Sequence, residues 1–143
     1  MNVGTYLDKK KGHEVYTIRE NQKVRECIDS LNSKKVGALV VVDAAGNLKG
    51  IVSERDILRK GFTNLDKNVS DIMTPASKII SAEKTANIID VMKQLDSNKI
   101  RHLPVMDEGK LVGLVSIGDV VNELLQINLF ENEQLKNYII SPY

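Results

Sequence analysis

Two hydrophobic patterns run along this chain, and each appears twice. Val24, Cys27, Ile28 and Leu31 fall at i, i+3, i+4 and i+7, and Ile88, Val91, Met92 and Leu95 repeat that spacing. Such a stripe lines one face of an amphipathic helix. A short extended segment precedes each helix, Val15–Ile18 in the first half and Ile79-Ile80 in the second. After each helix comes a β-rich run that turns back on itself. Gly37–Val42 returns through Asp43-Ala44-Ala45-Gly46-Asn47 into Leu48–Val52, and His102–Met106 returns through Asp107–Lys110 into Leu111–Val115. Both read as hairpins. A further helix follows each hairpin: Glu54–Lys60, stopped by Gly61, and Ile117–Asn128. Val3, Tyr6 and Leu7 predict a lead-in helix that ends near Gly12, and Val69–Met73 predicts a short helix closed by Thr74-Pro75.

Residues 15–60 can be laid on 79–123 with a one-residue gap at Ala45, giving twelve identities. They include Leu31/Leu95, Lys35/Lys99, Leu39/Leu103, Gly46/Gly109, Gly50/Gly113, Ser53/Ser116 and Asp56/Asp119. The chain is therefore an internal duplication of a β-α-β-β-α unit. The predicted fold class is α+β, two tandem repeats related by a pseudo-two-fold axis. Each small unit leaves a sheet face uncovered, so the two should pack together through their sheets. The expected organisation is a lead-in helix over 1–14, repeat 1 over 15–61, a linker over 62–78, repeat 2 over 79–128 and a helical tail over 129–143. The tail carries apolar residues, among them Phe130, Leu135, Tyr138 and Ile139. They would be covered by the chain's own domain or by a second copy.

Binding chemistry concentrates where each hairpin enters its helix, in Ser53-Glu54-Arg55-Asp56 and Ser116-Ile117-Gly118-Asp119. Ser-x-x-Asp is first a capping signal, with the serine at the N-cap and the aspartate reaching back. A helix start also suits phosphate, and a carboxylate beside it can accept both hydroxyls of a ribose. Gly50 and Gly113 would let a ligand or partner backbone come close. Basic groups are shared unevenly. Repeat 2 has Arg101-His102 where repeat 1 has Gly37-Ala38, and repeat 1 has Arg55 where repeat 2 has Gly118. The two clefts should therefore differ in charge.

Composition removes other classes of function. The formal net charge of +1 argues against nucleic-acid binding driven by bulk charge. No run of about 18 apolar residues would span a membrane. The N-terminus lacks the apolar core of a signal peptide, and the single cysteine suits a reducing cytoplasm. Cys27 lies on the apolar stripe opposite Val91, as a packed thiol would. His102 and His13 have no companions at metal-ligand spacing. Lys9-Lys10-Lys11 reads as a solvated face, and no nucleophile–base pair suggests an enzyme.

The repeated Gly-hydrophobic-hydrophobic-Ser-x-x-Asp phrase, Gly50–Asp56 and Gly113–Asp119, resembles the tandem CBS-domain pair, or Bateman module. So do Ile100-Arg101-His102-Leu103-Pro104-Val105 and the linker Val69–Thr74, and the resemblance covers nearly the whole chain. It implies a free-standing regulatory module that binds an adenosine compound (AMP, ADP, ATP, NAD or S-adenosylmethionine) and has no catalytic cofactor. Carried over by motif, Asp56 and Asp119 would hold ribose hydroxyls, and Ser53 and Ser116 would lie near ribose or phosphate. Thr17 and Ser81 would line the base, and Arg101 and His102 would face phosphate. Gly37, Ala38, Arg55, Pro104 and Gly118 complete the candidate nucleotide-binding set. The resemblance also implies a homodimer, with the lead-in helix and tail as contacts, acting on an unidentified regulated protein. A structural module in which Ser-x-x-Asp only caps helices is the alternative.

Overall fold

The computed structural model describes residues 1–10 and 15–140, with side chains placed through residue 134. The chain divides into two compact units, one formed by Glu14–Ile80 and the other by Met1–His13 together with Ser81–Tyr143.

The first unit is a four-stranded sheet in the order β1 (Thr17–Arg19), β2 (Ala38–Val42), β3 (Leu48–Ser53) and β4 (Thr74–Pro75), the last antiparallel to β3. Strand β1 (Thr17–Arg19) leads into helix α2 (Val24–Lys34), which the Val24/Cys27/Leu31 stripe lays on the sheet. The helix ends on Lys35 in the left-handed region, at φ 55°. Strands β2 (Ala38–Val42) and β3 (Leu48–Ser53) form the hairpin, with β1 parallel to β2 on its far side. Asp43 stabilises the hairpin loop by accepting from the amides of Ala45 and Asn47, each at 2.9 Å. Helix α3 (Glu54–Arg59) follows. Ile18, Val24, Cys27, Leu39, Val41, Val52, Val69 and Ile72 are the buried centre of this unit.

The second unit repeats the plan. Its strand order is β5-β6-β7, with β5 (Ala82–Glu83) parallel to β6 (His102–Asp107) and β7 (Lys110–Ser116) antiparallel to it. Helix α4 (Ile88–Ser97) buries Ile88, Val91 and Leu95. Lys99 adopts the same left-handed conformation as Lys35, at φ 54°. Glu108 and Gly109 both have positive φ, the two-residue turn whose twist suits a hairpin. The extra residue in the first repeat therefore lengthens only a loop.

Each unit is completed by the segment that precedes the other repeat in sequence. The linker enters the first unit with Val69 N–H donating to the Gln22 carbonyl at 2.8 Å and Ser70 N–H to Glu20 at 3.1 Å. Helix α1 (Val3–Lys9) enters the second unit the same way, through Val3 to Ala86 and Gly4 to Lys84, each at 2.8 Å. Asn68 and Asn2 cap these two segments, so Met1–Leu7 and Lys67–Met73 are equivalent parts of the duplicated unit. The lead-in helix is thereby built into its own chain's second core, with Val3 and Tyr6 buried there.

Several sequence expectations are corrected. Helix α3 does stop just before Gly61, but the glycine opens a 3-10 turn over Gly61–Thr63 and has no positive φ. It is buried, and a side chain there would crowd Val24, Ile57 and Ile72. The second extended segment is Ala82–Glu83 instead of Ile79-Ile80, because the parallel register to β6 starts at the Ala82–Val105 pair. Gly50 and Gly113 admit the chain's own segments instead of a ligand. A Cβ on Gly50 would meet the Thr74 carbonyl and Met73, and one on Gly113 would meet Leu7. Finally, α5 runs unbroken over Ile117–Ile140, since no glycine or proline interrupts 119–140. Leu129 and Phe130 on it are exposed, so they are not buried by their own unit. The side chains of Leu135, Tyr138 and Ile139 lie outside the described residues.

Candidate functional site

Hairpin pairing assembles the same constellation in both units. In the first, Ala38 stands directly opposite Ser53, and the Gly37 carbonyl accepts the Glu54 N–H at 2.9 Å. In the second, His102 stands opposite Ser116, and the Arg101 carbonyl accepts the Ile117 N–H at 2.8 Å. Directly opposed residues share one face of the sheet, so the head of each inner strand lies beside the motif serine. Gly37, Ala38, Ser53, Arg55 and Asp56 are gathered at one helix start; Arg101, His102, Ser116, Gly118 and Asp119 are gathered at the other. Thr17 lies exposed on β1 opposite Val40, two residues along from Ala38. Ser81 immediately precedes β5 and is exposed, and Pro104 is buried in β6 opposite Leu114. Gly118 is exposed, and a side chain there would have room beside Ser116.

Both aspartates cap their helices. Ser53 donates its N–H at 2.9 Å and its hydroxyl at 3.2 Å to Asp56, and both bonds fall on Oδ2. Ser116 N–H donates to Asp119 Oδ2 at 3.0 Å, and Asp119 N–H returns a bond to Ser116 Oγ at 3.1 Å. Each reciprocal cap contributes about 1 kcal/mol to its helix. Half-buried at a helix start, the two carboxylates are held as acceptors beside amide donors.

The electrostatics differ in a way the sequence reading missed. Lys10, one residue past α1, places its ammonium 2.8 Å from Asp119 Oδ1 and 5.9 Å from the centre of the Tyr6 ring. Burial pushes the Asp119 carboxyl upward, yet the Lys10 bond and the Ser116 amide together hold it below its usual value. The same pair raises Lys10 despite burial that favours its neutral form. Lys9-Lys10-Lys11 is thus not simply a solvated face. Its middle lysine is 109 residues from its partner, and no local pattern could have signalled the pairing. Cys27 is buried, and desolvation, aided by the Asp56 charge, pushes its thiol up to about 11. That makes it a packed thiol and a poor nucleophile. No helix among the described residues is long and apolar enough to cross a membrane.

The arrangement has counterparts among known proteins. The CBS domain model matches residues 11–62 and again 69–126. CBSX3, a mitochondrial CBS domain-containing protein of Arabidopsis thaliana, is 36% identical over 126 residues. The match covers 84% of this chain and 61% of CBSX3, so the chain spans about three-fifths of that relative. The crystal structure of CBSX2 in complex with AMP is 32% identical with a TM-score of 0.75, covering 89% of this chain and 98% of that one. The CBS domain pair of MJ0100, solved with 5-methylthioadenosine and S-adenosyl-L-methionine, is 26% identical with a TM-score of 0.74, covering 87% and 95%. A mitochondrial relative shows that the cytoplasm suggested by the single cysteine is not a property of such proteins in general. With both repeats matched and the motif built twice, this chain belongs to the CBS-domain family.

Proposed function

We propose that the chain is a non-catalytic regulatory module that binds an adenine nucleotide or related adenosine compound at its Ser-x-x-Asp helix starts. The observation that carries this reading is the duplicated constellation itself. Each unit aligns a motif serine, a half-buried carboxylate and the head of an inner strand at one helix start. Relatives solved with AMP and with S-adenosyl-L-methionine support the ligand class. Asp56 and Asp119 take the ribose hydroxyls, while Arg101 and His102 favour phosphate in the second unit. Binding shifts the population between conformations, and a regulated protein reads the shift.

Calorimetry with AMP, ATP and NAD tests this. Asp56→Ala or Asp119→Ala removes a charged acceptor that would hold two hydroxyls, and should weaken binding at its own motif about tenfold. Unfolding midpoints should fall only by the loss of a cap. If no adenine nucleotide gives heat or raises the melting temperature, the motif serves as a helix cap alone.

A second copy of the chain completes the module. Leu58 and Phe62 in the first unit correspond to Val121 and Leu125 in the second, and all four are exposed. Apolar pairs at duplicated positions fit a symmetric contact. Light scattering should report a dimer, and Leu125→Glu should shift it toward the monomer mass. A native chain that is monomeric at tens of micromolar would remove the homodimer from the proposal.

A further inference from the structure

The two motif carboxylates are chemically unlike, although their serines and caps match. Asp119 has both oxygens committed: Oδ1 to the Lys10 ammonium at 2.8 Å, and Oδ2 to the Ser116 amide at 3.0 Å. Asp56 receives its Ser53 amide and hydroxyl on one oxygen, Oδ2. The lysine comes from the end of α1, whose Tyr6 sits in the same core and lies below the ammonium. The linker enters the first unit as α1 enters the second, but turns into strand β4 at Thr74–Pro75 instead of continuing as a helix. Among the described residues the lysine contact is therefore a feature of one repeat, superimposed on a duplicated scaffold.

A vicinal diol bound by a carboxylate directs its hydroxyls at the oxygens, and an ammonium on Oδ1 occupies that position. We infer that Lys10 is an intramolecular competitor for the ligand at Asp119. A nucleoside with a free ribose diol enters the second motif only as Lys10 is displaced. The first motif fills without that step. Occupancy of the second motif then releases the end of α1 from α5, which gives the module a ligand-dependent N-terminal segment. This inference rests on the adenosine-binding reading above and deepens it, by assigning an order to the two motifs and naming the residue that sets it.

The experiment uses the full chain and AMP. In an Asp56→Ala background the first motif binds AMP about tenfold more weakly, so the tighter heat in calorimetry comes from the second motif, and Lys10→Gln is added to it. A partly exposed ion pair contributes up to about 1 kcal/mol, so removing its charge should tighten AMP about two- to fivefold. Amide exchange at Tyr6–Lys10 should quicken when AMP saturates the native chain, and Lys10→Gln should already exchange fast without AMP. Unchanged or weaker binding in the Lys10→Gln chain overturns the inference and leaves the nucleotide reading standing. So does binding by the native chain with none by either Asp56→Ala chain. Absence of AMP binding by the native chain overturns both.

Discussion

Gly50→Val should destabilise the first unit by about 3 kcal/mol, the upper part of the range for forcing atoms into a filled site. A Cβ at position 50 would lie 2.5 Å from the Thr74 carbonyl oxygen and 2.7 Å from Met73 Sδ. The oxygen belongs to β4, held against β3 by the Gly50–Pro75 and Ile51–Thr74 pairs. Backbone in a strand pair cannot swing aside as a side chain can, so the linker would have to leave the sheet edge. Gly113→Val is the internal control. Its nearest obstacle is Leu7 Cδ1 at 2.6 Å, the far end of a flexible side chain, and a cost of about 1 kcal/mol is expected. Urea denaturation of the two variants measures the difference. Equal losses would mean that the linker strand yields as easily as a leucine side chain.

Leu39→Ala and Leu103→Ala should each cost about 2–5 kcal/mol. The two leucines occupy the same position of the repeat and are fully buried. They lie in separate cores, Leu39 with Val24, Cys27 and Ile72, and Leu103 with Val3, Tyr6 and Leu95. Each truncation leaves a cavity that close-packed neighbours fill only in part. Amide exchange shows where the loss falls: Leu39→Ala should accelerate α2 before α4, and Leu103→Ala the reverse. A uniform acceleration in both variants would contradict separate cores. With only about 5–15 kcal/mol of total stability expected for a domain of this size, either substitution takes a large share.

The periodic elements were legible because their signals are local. The 3.6-residue stripe at Val24–Leu31 and the turn at Asp107–Lys110 each specify their own conformation within a few residues. The Ser-x-x-Asp caps were legible for the same reason, and the serine–aspartate hydrogen bonds span three residues. Element ends were less so. The second parallel strand sits at Ala82–Glu83 because β6 chooses its register, and α5 continues past Asn128 because nothing in the sequence breaks it.

By itself the sequence determined that this chain is a duplication, which turns and caps each copy uses, and which faces of its helices are apolar. All of these depend on neighbours within one or two helical turns. Tertiary structure alone decided that each repeat is finished by the segment leading into the other, that Gly50 and Gly113 make room for those segments, and that Lys10 lies on Asp119. Such contacts join residues tens to more than a hundred positions apart. Their energy comes from burial and charge meeting in space, which leaves no periodic mark along the chain.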